Sequence, residues 1–547
     1  MTEDNLFTEQ DSTQSATPAK KRTWKVQKGV TKEIVPNATS RRTAHDDMLD
    51  LFDVEDILDI PEYSTTQMTI DDVHRVAGTN GLKSISTFTG CGGSATGFAM
   101  AGWHELMATE FVDAARNTFA SNYESTVIEP HELLELAEQW FSDNEELASK
   151  AGVRLILNKR VKVKDKVIPP SLSWERIQDS LPHTDEAREA FSEMRRWVND
   201  QAFSAHAEEV ANGKIVLWGD DIRGLDPYAM MDALGLEPGE LDCFEGSPPC
   251  KAFSMAGVRE DKWGKVVAYS GERKQKSDDL FFEYMRLVLA LKPRSFIAEN
   301  VQGLALGAAV DHVLKPFEEE MRKAGYIVDH RLLNAADFGV PQERPRLFVQ
   351  GIRTGLVDKL GRQIKPSWPK PQEYRYTVNQ AISGVESTVE QIVESWLGTK
   401  ADLISTYGDI PDEVIKEFWK DRFSIKDTDS RFAVGAAWYI LGPGGSPENT
   451  YFQLIRSHPD RPAPTITATS AGNIAAAGIT HPHECRKFTV PELRSLFTFP
   501  GDYKFDGTTE QQGERMGRSV PPYLMKALAG KLASTLKKVH KDNGGAL

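Results

Sequence analysis

From residue 83 onward, short apolar runs of β type alternate with amphipathic helical patterns. The β-type runs are LKSISTF (82–88), HELMATEF (104–111), IVLWGDDI (215–222), LDCFEGSPP (241–249) and PRSFIAENV (293–301). Between the last two runs, LFFEYMRLVLALK (280–292) places apolar residues at the spacing of one helix face. Strands that alternate with helices are typical of a mostly parallel sheet covered on both faces. The pattern therefore predicts a doubly wound α/β fold.

Two segments interrupt this alternation. Residues 124–212 contain helical patterns and one basic run (154–166), which indicates an insertion. Residues 354–455 are mixed in character and punctuated by Trp and Pro, which indicates a second, smaller domain. Residues 1–45 are polar and aperiodic, and we expect them to be disordered.

Composition narrows the class of protein. No apolar stretch approaches the roughly 20 residues of a membrane span, and the polar N-terminus lacks the apolar core of a signal peptide. The four cysteines form no C-x-x-C pair, which argues against a zinc module or a disulfide framework; they are Cys91, Cys243, Cys250 and Cys485. We therefore expect a cytoplasmic protein without a metal site, in which a thiol is free for chemistry.

The net charge of −15 argues against a nucleic-acid partner, because phosphate binding needs Lys and Arg. The charge is unevenly distributed, however. Residues 1–80 and 124–212 together carry 13 of the 15 excess negative charges, so the rest of the chain is close to neutral. A local basic groove therefore stays compatible with the composition.

The first candidate site is STFTGCGGSATGF (86–98), a glycine turn between a predicted strand and a helix. Glu110 ends the next strand, where a carboxylate can accept both ribose hydroxyls of a nucleoside, and Phe111 beside it can stack on an adenine. The alternative interpretation is an ordinary tight turn with a surface Glu and a core Phe.

The second candidate site is GSPPCKAFS (246–254), where two prolines hold Cys250 in a stiff turn after a strand. Most single cysteines are buried and inert, which is the alternative interpretation. Glu299 ends another strand, and Arg344 and Arg346 lie two residues apart on one side of an extended segment.

These motifs occur in the order of a known family. The sequence resembles the C5 cytosine-specific DNA methyltransferases, and the resemblance covers roughly residues 83–353 and 455–535. Its six strongest motifs are F-x-G-x-G-G at 88–93, Glu110-Phe111, G-D-I at 219–222 with one extra Asp, P-C-x-x-F-S at 249–254, E-N-V at 299–301 and Q-x-R-x-R at 342–346. Late motifs at 461–469, 485–500 and 517–522 also fit.

The resemblance implies methyl transfer from S-adenosylmethionine to C5 of a flipped-out cytosine in double-stranded DNA. Cys250 would add to C6, and Glu299 would engage N3 and the exocyclic amine. Arg346 would contact O2, with Arg344 supporting the site. The residues implied to line the cofactor pocket are Phe88, Gly90, Gly92, Glu110, Phe111, Asp221, Ile222, Pro249, Leu280, Ser519 and Val520.

The implied architecture is a class I methyltransferase, Rossmann-like sheet domain with a smaller target-recognition domain. We predict a polar, partly disordered extension (1–80), a catalytic domain (81–353), a target-recognition domain (354–460) and a return to the catalytic domain with a C-terminal helix (461–547). The final helix, from about Pro522, should pack beside the first glycine motif.

Other features are specific to this chain. The loop 251–279 is predicted to close on DNA, with a solvated loop as the alternative; its cations are Lys262, Lys265, Arg273, Lys274 and Lys276. Arg518 replaces the Asn that usually follows Gly in the last motif. The basic run in the insertion either adds a DNA contact or forms an exposed hairpin.

Three other functions are each compatible with part of the sequence. A transfer RNA methyltransferase of the same family would use the same pocket, but a segment as large as 354–455 favours DNA. A non-catalytic DNA-binding regulator is expected to lose Cys250 or Glu299, and both are present. A generic Rossmann oxidoreductase gives no reason for the motifs around Cys250 and Arg346. We expect a monomeric bacterial or phage enzyme, either an orphan or part of a restriction-modification system with a cognate endonuclease.

Overall fold

Eight strands form the central sheet of the computed structural model, and seven of them run in the same direction. In chain order they are β1 (Lys83–Thr87), β2 (His104–Thr109), β3 (Ser125–Ile128), β4 (Ile215–Trp218), β5 (Cys243–Gly246), β6 (Ser295–Val301), β7 (Tyr326–Asn334) and β8 (Pro345–Arg353). Their spatial order is β7-β8-β6-β5-β1-β2-β4-β3, and β8 alone is antiparallel to its neighbours. The predicted doubly wound, mostly parallel sheet is confirmed.

The structure describes residues 68–158, 161–163, 166–168, 170–249, 267–268, 274–275, 280–307, 309–419, 427–447 and 454–539. The α-helices in these ranges are α1 (Ile70–Val76), α2 (Gly93–Met100), α3 (Asp113–Ala120), α4 (Pro130–Asp143), α5 (Glu145–Ala151), α6 (Trp174–Asp179), α7 (Asp185–Ala205), α8 (Ala207–Ala211), α9 (Pro227–Leu234), α10 (Leu280–Leu291), α11 (Lys315–Lys323), α12 (Val378–Ile382), α13 (Val389–Ser395), α14 (Lys400–Tyr407), α15 (Asp412–Phe418), α16 (Ala433–Trp438), α17 (Ala468–Gly472), α18 (Val490–Leu496), α19 (Thr509–Arg518) and α20 (Pro522–Leu536).

Shorter elements connect these helices and strands. Short 3₁₀ helices cover Ile222–Gly224, Gln302–Ala305 and Ala335–Phe338, and a π-helix covers Val310–Leu314. The short paired strands are Leu157–Asn158 with Ser171–Leu172, Val161–Val163 with Lys166–Ile168, Val267–Ala268 with Lys274–Gln275, and Ile455–Arg456 with Ile479–Thr480. No helix in the described part of the chain is both long and apolar enough to cross a membrane.

The sheet separates two hydrophobic cores because successive side chains of a strand point to opposite faces. In β5 and β6, Phe244 and Phe296 pack into one core, which also contains residues of α9, α10 and α11. Ile297 of β6 packs into the other core with Leu524 and Leu528 of α20. Strands β5 and β6 are buried on both faces, as expected for the interior of a parallel sheet.

The insertion at 124–212 is part of the main core. It supplies edge strand β3, which pairs with β4, and helices whose side chains Leu133, Trp140 and Met194 lie in the same core as Phe244. Part of its basic run forms an antiparallel hairpin, Val161–Val163 with Lys166–Ile168. The backbone of these residues therefore forms a hairpin, and a DNA contact by the basic run stays a prediction.

The segment after β8 packs in two ways. Val378 and Ala381 of α12 join a core cluster that also contains Phe119 and Leu496. From α13 onward, apolar side chains of this segment form two small hydrophobic clusters that are distinct from the main cores. One contains Ile392, Val393, Trp396, Leu403, Ile410, Ile415 and Trp419, and the other contains Leu397, Val434, Trp438, Leu454 and Cys485.

Helix α20 returns the end of the chain to the start of the sheet. It begins at Pro522 and packs on α2 so closely that a Cβ added at Gly97 would lie 2.6 Å from the Cβ of Met525. This is the position expected from the sequence. Helix α1 also packs on α2, through Val73 against Ala99 and Met100, although the sequence placed it in a partly disordered extension.

Candidate active site

The carboxyl ends of β1, β2, β4 and β5 meet in one cleft. Strand β1 lies between β5 and β2. Strands β2, β3 and β4 therefore lie on one side of β1 and the later strands on the other, which makes β1 the point where the strand order reverses. In open α/β sheets, ligands bind at the carboxyl edge of such a switch point. The cleft is lined by Phe88, Thr109, Glu110, Phe111, Asp220, Ile222 and Pro249.

The glycine turn after β1 brings the backbone close to neighbouring segments. Gly90 and Gly92 adopt positive φ angles of 60° and 87°, a left-handed conformation that favours glycine, and Phe88 adopts φ 54° despite its side chain. A Cβ at Gly93 would lie 2.3 Å from the carbonyl oxygen of Val520. At Gly93, therefore, only a residue without a side chain allows the turn to pack this closely against the last motif (517–522).

Glu110 links the glycine turn to the loop after β2. Its Oε2 accepts a hydrogen bond from Gly90 N at 2.7 Å, and its Oε1 accepts one from Val112 N at 2.7 Å. Burial raises the pKa of Glu110, and the backbone hydrogen bonds partly oppose that rise. Each carboxylate oxygen keeps a further lone pair, so Glu110 can still accept hydrogen bonds from a ligand in the cleft.

The two adjacent aspartates after β4 have different environments. Asp220 lines the cleft and accepts a hydrogen bond from Trp174 Nε1 at 3.2 Å. Asp221, the predicted cofactor residue, caps the following 3₁₀ helix and forms an ion pair with Arg223 at 2.9 Å. The extra Asp thus leaves Asp220, rather than Asp221, in the cleft.

A second group of charged residues lies where β6 pairs with β8. Glu299 Oε1 lies 3.1 Å from Arg346 Nε; Glu299 is buried and Arg346 is half-buried. Burial raises the pKa of Glu299, and Arg346, Arg344 and the hydroxyl of Ser247 oppose that rise. A buried carboxyl with a raised pKa beside two arginines is typical of functional sites.

Residues 247–249 join this group to the cleft. Asn300 Nδ2 donates to the carbonyl oxygen of Pro248 at 2.9 Å, and Ser247 N contacts Thr87 O at 3.3 Å. Pro249 lines the cleft. Cys250 and most of the predicted lid 251–279 lie outside the described residues, apart from the paired strands Val267–Ala268 and Lys274–Gln275.

Arg344 is fully buried and does not face the cleft. Its guanidinium donates to the carbonyl oxygens of Ile466 at 3.0 Å, Gly517 at 2.8 Å and Ser519 at 2.9 Å. It also lies over the ring of Phe497, 5.3 Å from its centroid. Arg344, predicted among the catalytic residues, therefore acts as a structural tie between the Q-x-R-x-R motif and the last motif.

We expect Arg344→Met to lower the free energy of unfolding by about 3 kcal/mol or more, because buried carbonyl oxygens lose charged donors. Urea denaturation measures this loss. The matched control is Arg362→Met, which removes an exposed arginine paired with Asp358 at 2.7 Å and should cost less than about 1 kcal/mol. Equal losses in the two variants would contradict the structural role of Arg344.

The remaining predicted cofactor residues lie near the glycine turn or in the core. Val520 is buried and contacts the turn through its carbonyl, and Ser519 Oγ donates to Met516 O at 2.8 Å. Arg518 forms an ion pair with Glu514 at 2.6 Å. Leu280 is buried in the core at the start of α10.

The sequence interpretation missed several residues. Thr109 lines the cleft, and its hydroxyl accepts from Phe88 N at 3.2 Å. The sequence feature that could have identified Thr109 is its position directly before Glu110. Asp220 could have been found by aligning the G-D-I element on its first Asp. Within the described ranges, no group of three or more His, Cys, Asp or Glu residues is arranged to hold a metal ion.

The fold and the cleft define a Rossmann-like domain of the class I methyltransferase type, with the cleft at its topological switch point. A family model described as C-5 cytosine-specific DNA methylase matches residues 220–534. The chain therefore belongs to the C-5 cytosine-specific DNA methylase family. The predicted activity, that of a DNA (cytosine-5-)-methyltransferase, is confirmed.

Similar proteins carry related names. The Type II methyltransferase M.XorII of Xanthomonas oryzae pv. oryzae is 29% identical over 345 residues, which cover 60% of this chain and 74% of that protein. The Type II methyltransferase M.DdeI of Desulfomicrobium norvegicum is 27% identical, covering 61% and 81%. The Type II methyltransferase M1.HphI of Haemophilus parahaemolyticus is 30% identical, covering 53% and 68%.

Proposed function

We propose that this methyltransferase uses S-adenosylmethionine as the methyl donor and Cys250 as a nucleophile toward a cytosine flipped out of double-stranded DNA. The observation that carries the proposal is the position of residues 247–249. Pro249 lines the cleft, while Asn300 fixes Pro248 and Ser247 lies beside Glu299. The segment that leads directly to Cys250 therefore connects the cleft to the Glu299–Arg346 pair.

The cleft fits a nucleoside cofactor. Phe88, Phe111 and Ile222 offer apolar surfaces for an adenine, and Glu110 offers carboxylate lone pairs for ribose hydroxyls. The glycine turn allows a ligand to approach backbone that carries no side chain. When bound, S-adenosylmethionine supplies an electrophilic methyl group on a positively charged sulfur.

The chain's own residues would activate the base. The Cys250 thiolate adds to C6, and electron density moves to C5, which becomes nucleophilic. Glu299 donates a proton toward N3 and accepts from the exocyclic amine, while Arg346 holds O2. After C5 has gained its methyl group, water takes the C5 proton, the C5–H electron pair re-forms the C5–C6 double bond, and the Cys250 thiolate leaves C6, which restores the aromatic ring.

Two segments would contact the DNA outside the pocket. The predicted target-recognition domain (354–460) would read base edges, and the loop 251–279 would place its cations on phosphates. Flipping the base costs a few kcal/mol, which these contacts would offset. The names of the relatives support a place in a restriction-modification system with a cognate endonuclease, and we propose a monomer acting in the cytoplasm.

The test is transfer of labelled methyl from S-adenosylmethionine to duplex DNA of mixed sequence, with transfer RNA as the parallel substrate. We expect labelled 5-methylcytosine in DNA only, and sequencing the product would locate the methylated site. Label in RNA alone would instead favour the transfer RNA branch. Binding of the cofactor without transfer to either polymer would favour the regulatory alternative.

We expect Glu110→Gln to weaken binding of S-adenosylmethionine by about tenfold or more, because an amide cannot accept through both terminal atoms as the carboxylate does. Isothermal titration calorimetry on the folded variant measures the change. The control is Glu124→Gln, an exposed position before β3, which should bind as the wild type does. Unchanged affinity in Glu110→Gln would remove Glu110 from the cofactor site.

A further inference from the structure

A buried network of carboxyl and hydroxyl groups lies beside the cleft and has no part in the chemistry proposed above. The two carboxyl oxygens of Glu245 of β5 each share a hydrogen bond with a serine hydroxyl, Ser86 Oγ of β1 at 2.5 Å and Ser94 Oγ of α2 at 2.8 Å, so that a protonated carboxyl can donate to one serine and accept from the other. Glu105 of β2 accepts from Ser84 Oγ of β1 at 2.8 Å. The two carboxyl side chains are buried, with Glu245 only 1% exposed.

The two acids lack charged partners in the part of the chain that the structure describes. Among the described residues, no ion pair involves Glu105 or Glu245, and Oε1 of Glu105 is buried without a hydrogen-bond partner. A buried charge without a partner is costly, so such groups stay neutral. Burial raises the pKa of Glu105 to about 7, and burial raises the pKa of Glu245 to about 8.

The other titratable groups that face Glu245 reinforce its neutral form. Glu105 of β2 and Glu299 of β6 both raise the pKa of Glu245, and only the serine hydroxyls lower it. Cys243 of the same strand and Tyr284 of α10 also interact with Glu245, and burial raises the pKa of each. The Tyr284 hydroxyl contacts Phe244 O at 3.0 Å and Ile297 O at 2.9 Å.

Glu245 joins the segments that form the cleft. Ser86 lies two residues before Phe88, Ser94 lies in the first turn of α2 just after the glycine turn, and Glu245 itself lies four residues before Pro249. Its single carboxyl therefore contacts the strand and the helix on both sides of the glycine turn.

We infer that Glu245 is a positioning residue whose protonated carboxyl holds the glycine turn in register with the strand that leads to Cys250. The inference rests on the proposed cofactor cleft. The ionised carboxyl would place a negative charge, without a cation beside it among the described residues, in buried surroundings of low dielectric constant, where such a charge is costly. Strands β1 and β5 or helix α2 must then shift, or water must enter, and the cleft loses its fit to the cofactor.

The experiment measures the dissociation constant of S-adenosylmethionine by calorimetry, at pH values from one unit below to one unit above the pKa of Glu245. For the wild type, we expect affinity to fall by about tenfold across this interval. Glu245→Gln, which stays neutral and keeps the shape, should bind tightly with little pH dependence. Glu245→Ala should bind weakly at every pH.

Glu105→Gln is the matched control, because it neutralises the other buried acid, which lacks a hydrogen bond to α2. It should keep the fall in affinity, but at lower pH, because the Glu105 charge no longer raises the pKa of Glu245. A purely structural role of Glu245 predicts a pH dependence of stability but not of affinity. Because the folded-state pKa of Glu245 lies above its unfolded value, stability would fall as pH rises toward about 8 and then level off. Affinity measured on folded protein around pH 8 would then stay constant.

Three results would overturn the inference. They are an alkaline fall in Glu245→Gln equal to that of the wild type, affinity of the wild type that does not depend on pH, and wild-type affinity in a folded Glu245→Ala. If Glu245→Ala does not fold, the comparison of Glu245→Gln with the wild type still decides. Failure of the wild type to bind S-adenosylmethionine at any pH would overturn the proposed cofactor together with the inference.

Discussion

Replacing Cys250 with alanine is expected to abolish methyl transfer to DNA, with a loss of about 10⁴-fold or more, while binding of S-adenosylmethionine stays intact. Without the thiolate, C5 of cytosine is too weakly nucleophilic to accept a methyl group, and removal of an enzyme nucleophile costs rates of this order. The measurement is labelled methyl transfer to duplex DNA under single-turnover conditions, together with calorimetric titration of the cofactor.

Cys485→Ala provides the matched control for this prediction. Cys485 is buried, packs with Leu397 and Trp438 in a small hydrophobic cluster and donates to Gly435 O at 3.5 Å. This variant should methylate DNA as the wild type does. Substantial turnover by Cys250→Ala would show that the reaction does not proceed through addition of this cysteine to C6.

Glu299→Gln is expected to lower the rate of methyl transfer by about 10²–10⁴-fold, the usual contribution of a general acid. The amide keeps the shape of the side chain but cannot transfer a proton toward N3. Because burial raises the pKa of Glu299, the rate in the wild type should fall as pH rises through that pKa, when the acid form is lost. Pre-steady-state rates across a pH series measure both effects.

Glu318→Gln serves as the control, because Glu318 is likewise a buried acid, paired with Arg322 at 2.9 Å on α11 and with His330 of β7, and it is not among the residues that line the cleft. Its turnover and pH profile should match those of the wild type. If Glu299→Gln kept the wild-type rate with the same pH profile, Glu299 would have no part in proton transfer to the base.

The sheet and the cleft were largely predictable from the sequence, because both depend on local patterns. Each strand is a short apolar run that ends in a motif, and parallel strands bring such ends to one edge. Phe88, Glu110, Phe111, Ile222 and Pro249 were each expected in the cleft, and each lines it. Their roles toward a cofactor stay predictions.

What the sequence could not predict depends on packing between distant segments. The side chain of Arg344 reaches carbonyl groups of Ile466 and Ser519, more than a hundred residues away, and no local pattern indicates such a contact. Which of Asp220 and Asp221 lines the cleft depends on the turn after β4, where Arg223 forms an ion pair with Asp221. The insertion similarly gave no sign that β3 would extend the main sheet, because a four-residue strand carries little periodicity.

The packing of α20 on α2 has a consequence for how this protein folds during synthesis. The two helices are separated by more than four hundred residues, so their contact is among the most non-local in the chain. The glycine turn cannot reach its final packing until Val520, more than four hundred residues later in the chain, has been made. Until then the apolar surface of α2 that α20 covers stays exposed, a state that favours aggregation.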